Sequence, residues 1–127
     1  MNAQHAANEV ATDPIAYERD RQVALDRYGI VDTGQEDAYD DLVLVARTLC
    51  GTRSALISLI DGERQWFKAR VGCNQRETAR TVAFCDHAIR QPQAITEVED
   101  ATLDPRFADN PFVTGDAGIR FYAGAPI

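Results

Sequence analysis

The chain has 127 residues, 45% apolar and 26% charged, with a net charge of −7. That is the make-up of one globular domain, and no apolar run approaches the roughly 18 residues a membrane-spanning helix needs. Residues 1–41 hold ten acidic and three basic side chains and the remainder ten of each, so no basic patch offers itself to nucleic acid.

The opening "MNAQHAANEV" has neither a basic start nor an apolar centre, and the sequence predicts a cytoplasmic protein with no membrane partner. Residues 1–13 are expected as a loose tail and 14–127 as a single domain. Asp13 is placed to cap a helix and Pro14 to occupy its first position. That helix carries Tyr17, Ala24, Leu25 and Tyr28 on a thin stripe broken by Arg21. Such a stripe suits a helix that leans on a partner subunit, so Tyr17, Leu25 and Tyr28 are interface candidates.

A second helix is predicted in "QEDAYDDLVLVARTLCG". Ala38, Tyr39, Leu42, Val43, Val45, Ala46, Leu49 and Cys50 share one broad apolar face there, which is expected to bury Cys50. Leu44 falls among the polar residues and joins the interface candidates. "SALISLID" reads as an interior strand covered on both faces. After a turn at Asp61–Gly62, "QWFKARVG" returns with Phe67, Ala69 and Val71 on one side. Trp66, Lys68 and Arg70 take the other, with Lys68 beside the Trp66 ring.

"QAITEVEDA" contains a short strand. "LDPRFADNPFVTGDAG" is a loop expected to fold down through Leu103, Phe107, Phe112 and Val113. "IRFYAGAPI" is the last strand. The order predicts an α+β fold, an antiparallel sheet with helices on its faces.

The chemistry concentrates in "AFCDHAIRQ". Taken as one helix over Val82–Arg90, the segment turns Val82, Phe84, Cys85, Ala88 and Ile89 to the sheet and Asp86, His87 and Arg90 away. Residues two apart project about 200° from one another, so Cys85 and His87 cannot chelate one ion or act as a nucleophile–base pair. Three readings of Cys85 stay open: a packed thiol, a wall beside a small ligand, or a redox partner of a distant cysteine. His87 is either a hydrogen-bonded boundary residue or a polar contact to a ligand or the loop.

Asp104, Arg106, Asp109 and Asn110 are expected to tie the loop down by turn bonds and an ion pair. The alternative has Arg106 or Arg120 reaching a bound anion. The three cysteines, Cys50, Cys73 and Cys85, fit neither a disulfide framework nor a zinc pattern, so no metal site is expected. No phosphate loop, carboxylate pair or Ser/His/Asp triad is present, and the sequence offers no catalytic set.

Four segments, "RYGIVDTGQEDAYDDL", "ALISLIDGERQWFKARVG", "TARTVAFCDHAI" and "DPRFADNPFVTGDAGIRFYAGAPI", together resemble the GAF domains of bacterial signalling proteins over about Tyr17 to Ile127. The resemblance implies a profilin-like α/β/α sandwich acting as a small-molecule-sensing module, cofactor unnamed. A diguanylate cyclase or histidine kinase would be the output domain. It implies a pocket lined by Phe84, Cys85 and His87, by Asp104, Arg106 and Phe107 of the loop, and by Arg120 and Tyr122 of the last strand.

It further implies a homodimer through the N-terminal helices. A strand expected after "FYAGAPI" would lie between that strand and "SALISLID". The sequence stops short of it, so a truncated or strand-swapped unit is expected. Two alternatives accompany the sensor reading. One is a thiol-dependent reductase resembling those that act on free methionine sulfoxide, which would need Cys73 and Cys85 within reach. The other is a ligand-free oligomerisation module. A chromophore site is not supported, and haem through His87 lacks a second ligand.

Overall fold

The computed structural model describes residues 13–127. The expected tail, apart from Asp13, lies outside the described residues. Asp13 is the first cap: its Oδ1 accepts from the backbone N–H groups of Ile15 and Ala16 at 3.1 Å each. It opens α1 (Pro14–Tyr28), which Gly29 ends in the left-handed conformation. α2 (Asp37–Cys50) ends the same way at Gly51.

β1 (Ala55–Asp61) and β2 (Arg64–Val71) form an antiparallel hairpin, and β3 (Glu77–Ala79) pairs with the far edge of β2. A 3-10 turn, Arg80–Val82, leads into α3 (Phe84–Ala88). β4 (Thr96–Val98), a second 3-10 turn at Ala101–Leu103, α4 (Pro111–Thr114) and β5 (Tyr122–Gly124) complete the chain. β4 and β5 pair antiparallel as a separate sheet. The architecture is the expected α+β one.

β1 differs from its expectation. Among the described residues it has a strand neighbour on one side only, and it is half-buried, with only Ile60 in the core at 2% exposure. The apolar face of α2 also departs. Val43 alone is buried, whereas Leu42, Val45, Leu49 and Cys50 are exposed. The helix meets β1 and β2 along the edge of its apolar arc, leaving the rest outward.

Lys68 does not lie along Trp66. Its side chain has no exposure, and Nζ sits 2.6 Å from a Glu36 carboxylate oxygen, 5.4 Å from the centre of the Tyr39 ring. It also donates to Thr33 Oγ1 at 2.8 Å and to the Gly34 carbonyl at 2.6 Å. The cause is a bulge: Ile57 pairs with Ala69 and Ser58 with Phe67, leaving Lys68 as the extra residue on β2. The buried ammonium pins the α1–α2 connection to the sheet.

Arg21, which interrupts the stripe of α1, is the residue that docks it, donating to the Ile60 carbonyl at 2.7 Å. Gln22 clamps the hairpin turn through Asp61 and the Gly62 N–H. Phe84, Val98, Ala101, Phe107 and Val113 form the core beneath the loop, with Ile119 and Tyr122 against it. Leu103, expected as a fourth anchor, is 81% exposed, because the turn at Ala101–Leu103 buries Ala101 instead.

Candidate functional site

α3 is shorter than the helix expected over Val82–Arg90. Ala83 is extended, with φ −85° and ψ 123°, and only Phe84–Ala88 are helical. Asn110 explains the break: its side-chain amide donates to the Val82 carbonyl at 3.0 Å, removing that acceptor from the helix. The same side chain caps α4 by accepting from Phe112 N–H at 2.9 Å. One residue thereby fixes both the start of α3 and the path of the loop.

Asp86, expected on the solvent side, is buried. It accepts from Arg80 Nε at 2.8 Å and Arg90 Nη2 at 2.9 Å, which compensates its charge. Arg80 is the larger hub: its Nη1 also lies 2.6 Å from Glu18 of α1 and 2.9 Å from the Gly62 carbonyl. The hydrogen bonds from Arg21 and Arg80 hold the Glu18 carboxyl down to about 2.

Cys85 and His87 part company as their spacing requires. The Cys85 sulfur accepts from Ser58 Oγ of β1 at 3.0 Å and from the Tyr122 hydroxyl of β5 at 3.2 Å. A single half-buried sulfur therefore ties one strand of each sheet to α3. Burial, then the neighbouring sulfur, pushes the Tyr122 phenol well above its ordinary value, so it stays protonated and donates.

His87 turns instead to the loop, its ring edge-on to Phe107 with centres 4.9 Å apart, and burial lowers its pKa. Phe107 stacks on Phe84 at 4.2 Å and 11°, and Phe84 meets Tyr122 at 5.2 Å. These four rings fill the space between α3, the loop and β5.

The loop arginines are engaged locally. Arg106 pairs with Asp104 through Nε at 3.1 Å and Nη2 at 2.8 Å, with its guanidinium 5.0 Å from the centre of the Phe107 ring. Those bonds hold the Asp104 carboxyl at about 2. Arg120 donates to the Val113 and Ile119 carbonyls at 2.9 and 3.0 Å. Of the interface candidates, Tyr17, Tyr28 and Leu44 are exposed, while Leu25 is buried within the chain.

The described residues also form open surface depressions, two of which bear on the site. One, of about 240 Å³, runs along α2 by Leu44, Val45 and Leu49. The other, of about 360 Å³, borders Asp104 and is walled by Glu97, Glu99 and Asp100. Among the described residues no group of three His, Cys, Asp or Glu side chains is placed to hold a metal ion, and all three cysteines are unpaired.

Ser58, Arg80 and Asp86 escaped the sequence reading as site residues. Ser58 left a trace, being the one hydroxyl inside the apolar run of its strand. Arg80 left none, since its partners Glu18 and Gly62 lie 62 and 18 residues away in sequence.

The GAF domain family matches residues 35–127, from the α1–α2 connection to the last residue. The chain belongs to the GAF domain family. α1 precedes the matched stretch and is joined to it by Arg80 and Arg21. Over 110 residues, 87% of the chain, this GAF domain is 44% identical to a cyclic di-GMP phosphodiesterase of Pseudomonas aeruginosa. The stretch is 19% of that protein, so the chain spans about a fifth of its relative. No helix among the described residues is long and apolar enough to cross a membrane.

Proposed function

We propose that this GAF domain is the regulatory module of a cyclic di-GMP signalling enzyme. It would sense a small molecule at the α3–loop–β5 side and signal through α1 and α2. The observation that carries the reading is the 44% identity to a cyclic di-GMP phosphodiesterase over a stretch that is only 19% of it. A cyclic di-GMP enzyme thereby replaces a histidine kinase as the favoured output partner.

The geometry supports a route for the signal. A change around Cys85 or His87 moves α3, and Asp86 on α3 is linked through Arg80 to Glu18 of α1. Both arginine contacts are partly shielded from water, so they transmit displacement better than surface pairs would. Tyr28 at 83% and Leu49 at 81% exposure, with Leu44 and Leu42, give α1 and α2 an apolar outer surface suited to a second subunit.

The test replaces the matched stretch of the Pseudomonas phosphodiesterase with this chain and measures hydrolysis of cyclic di-GMP. Asp86→Asn and Tyr122→Phe are expected to change the rate several-fold while the chimera stays folded by circular dichroism. Rates equal to the parent chimera in both variants would overturn the reading. In light scattering, Leu44→Glu is expected to shift a dimer to monomer, and a parent that is monomeric at high micromolar concentration would remove the dimer.

A further inference from the structure

We propose that Cys85 is a modification site, a thiol oxidised by small hydroperoxides, where the Ser58 and Tyr122 hydroxyls converge on its sulfur. The inference deepens the sensory reading above by naming a class of signal for the same site.

A neutral thiol is a poor hydrogen-bond acceptor, yet two hydroxyls from different sheets converge on this sulfur, at 3.0 and 3.2 Å. Both bonds become charge-assisted when the sulfur is a thiolate, the form that reacts. Tyr122 can only donate here, because its phenol stays protonated.

Thr96 supplies an independent observation. It is 5% exposed, and its buried hydroxyl has no partner. Thr96 pairs with Gly124 directly across the β4–β5 ladder, two positions from the Val98–Tyr122 pair, so its side chain shares a sheet face with Tyr122. The Tyr122 hydroxyl lies over Gly124: a Cβ placed there would fall 2.1 Å from it. The orphan Thr96 hydroxyl thus belongs to the sheet face from which the Tyr122 phenol reaches Cys85.

In the step, the Cys85 thiolate attacks one peroxide oxygen. An S–O bond forms and the O–O bond breaks. The sulfur is oxidised by two electrons, and the departing oxygen leaves as hydroxide, or as alkoxide from an organic hydroperoxide. That anion takes up the proton the thiol released, so thiol and hydroperoxide become sulfenic acid and water (or an alcohol). Ser58 and Tyr122 are placed to donate to the attacking sulfur. The sulfur is half-buried beside the packed rings of Phe84 and Tyr122, which favours a small oxidant.

The test treats the purified chain with dilute hydrogen peroxide, traps sulfenic acid with dimedone, and follows each cysteine by peptide mass spectrometry. Cys50 is the internal control, being exposed where Cys85 is half-buried. Cys85 is expected to label about tenfold faster than Cys50, and Ser58→Ala and Tyr122→Phe should each slow Cys85 several-fold without changing Cys50. Labelling of Cys50 at an equal or higher rate would overturn the proposal, as would a Cys85 rate indifferent to both substitutions. Oxidation is read without any output enzyme, so it can fail while the chimera still responds to Asp86→Asn, or succeed while the chimera does not.

Discussion

Replacing Phe107 with alanine strikes the centre of the candidate site. Phe107 is 1% exposed, stacks on Phe84 at 4.2 Å and carries the edge of His87 at 4.9 Å. Truncating a phenylalanine so enclosed costs about 3–5 kcal/mol, the stacked pair accounting for about 0.5–1.5 of it. A domain of this size has roughly 5–15 kcal/mol in all, so the variant would stand near the edge of folding. At about 3–5 °C per kcal/mol for a chain between the small and middle size classes, the midpoint should fall by roughly 10–25 °C. Urea denaturation should show a lower midpoint with an unchanged slope. A second readout comes from His87: losing its cover, its pKa should rise toward the ordinary 6.5, visible by NMR titration. A loss below about 1 kcal/mol with an unmoved His87 would refute the packing described.

Three further outcomes follow from other parts of the chain. Lys68→Met removes the ammonium that joins Glu36, Thr33 and Gly34 and should cost about 1–3 kcal/mol in urea denaturation; a neutral result would contradict the pinning role. Gly72 has φ +73°, and a Cβ there would lie 2.2 Å from the Arg53 carbonyl, so Gly72→Ala should lose about 2 kcal/mol or more, against little change at Gly34, which has open space. The folded-state pKa values of His87 and Glu18 are both depressed, so their stability contributions are present above the unfolded values, 6.5 and 4.5, and are lost on acidification. The melting temperature should therefore fall as pH drops below 6.5, a step that His87→Gln removes. It should fall again between 4.5 and about 2 as Glu18 protonates; a rise in stability from pH 7 to 5 would contradict this.

The sequence made the helix ends legible, because Asp13, Pro14, Gly29 and Gly51 act through local backbone geometry alone. It also made the opposed directions of Cys85 and His87 legible, although the helix carrying them is interrupted at Ala83. What lay beyond its reach was decided by distant partners. Asn110 cuts the helix from 28 residues away. A bulge turns Lys68 inward, and Asp86 is buried only because Arg80 and Arg90 accompany it. The outward face of α2 was missed for a different reason: periodicity reveals an apolar arc, not which part of it meets the sheet.

Cys85 is where α3 meets both sheets, and the coupling between Ser58 and Tyr122 measures that directly. A double-mutant cycle of Ser58→Ala and Tyr122→Phe should give a coupling of about 0.5–1 kcal/mol with Cys85 present and none in a Cys85→Ala background. Costs that add within about 0.3 kcal/mol in both backgrounds would mean that the sulfur does not join the strands.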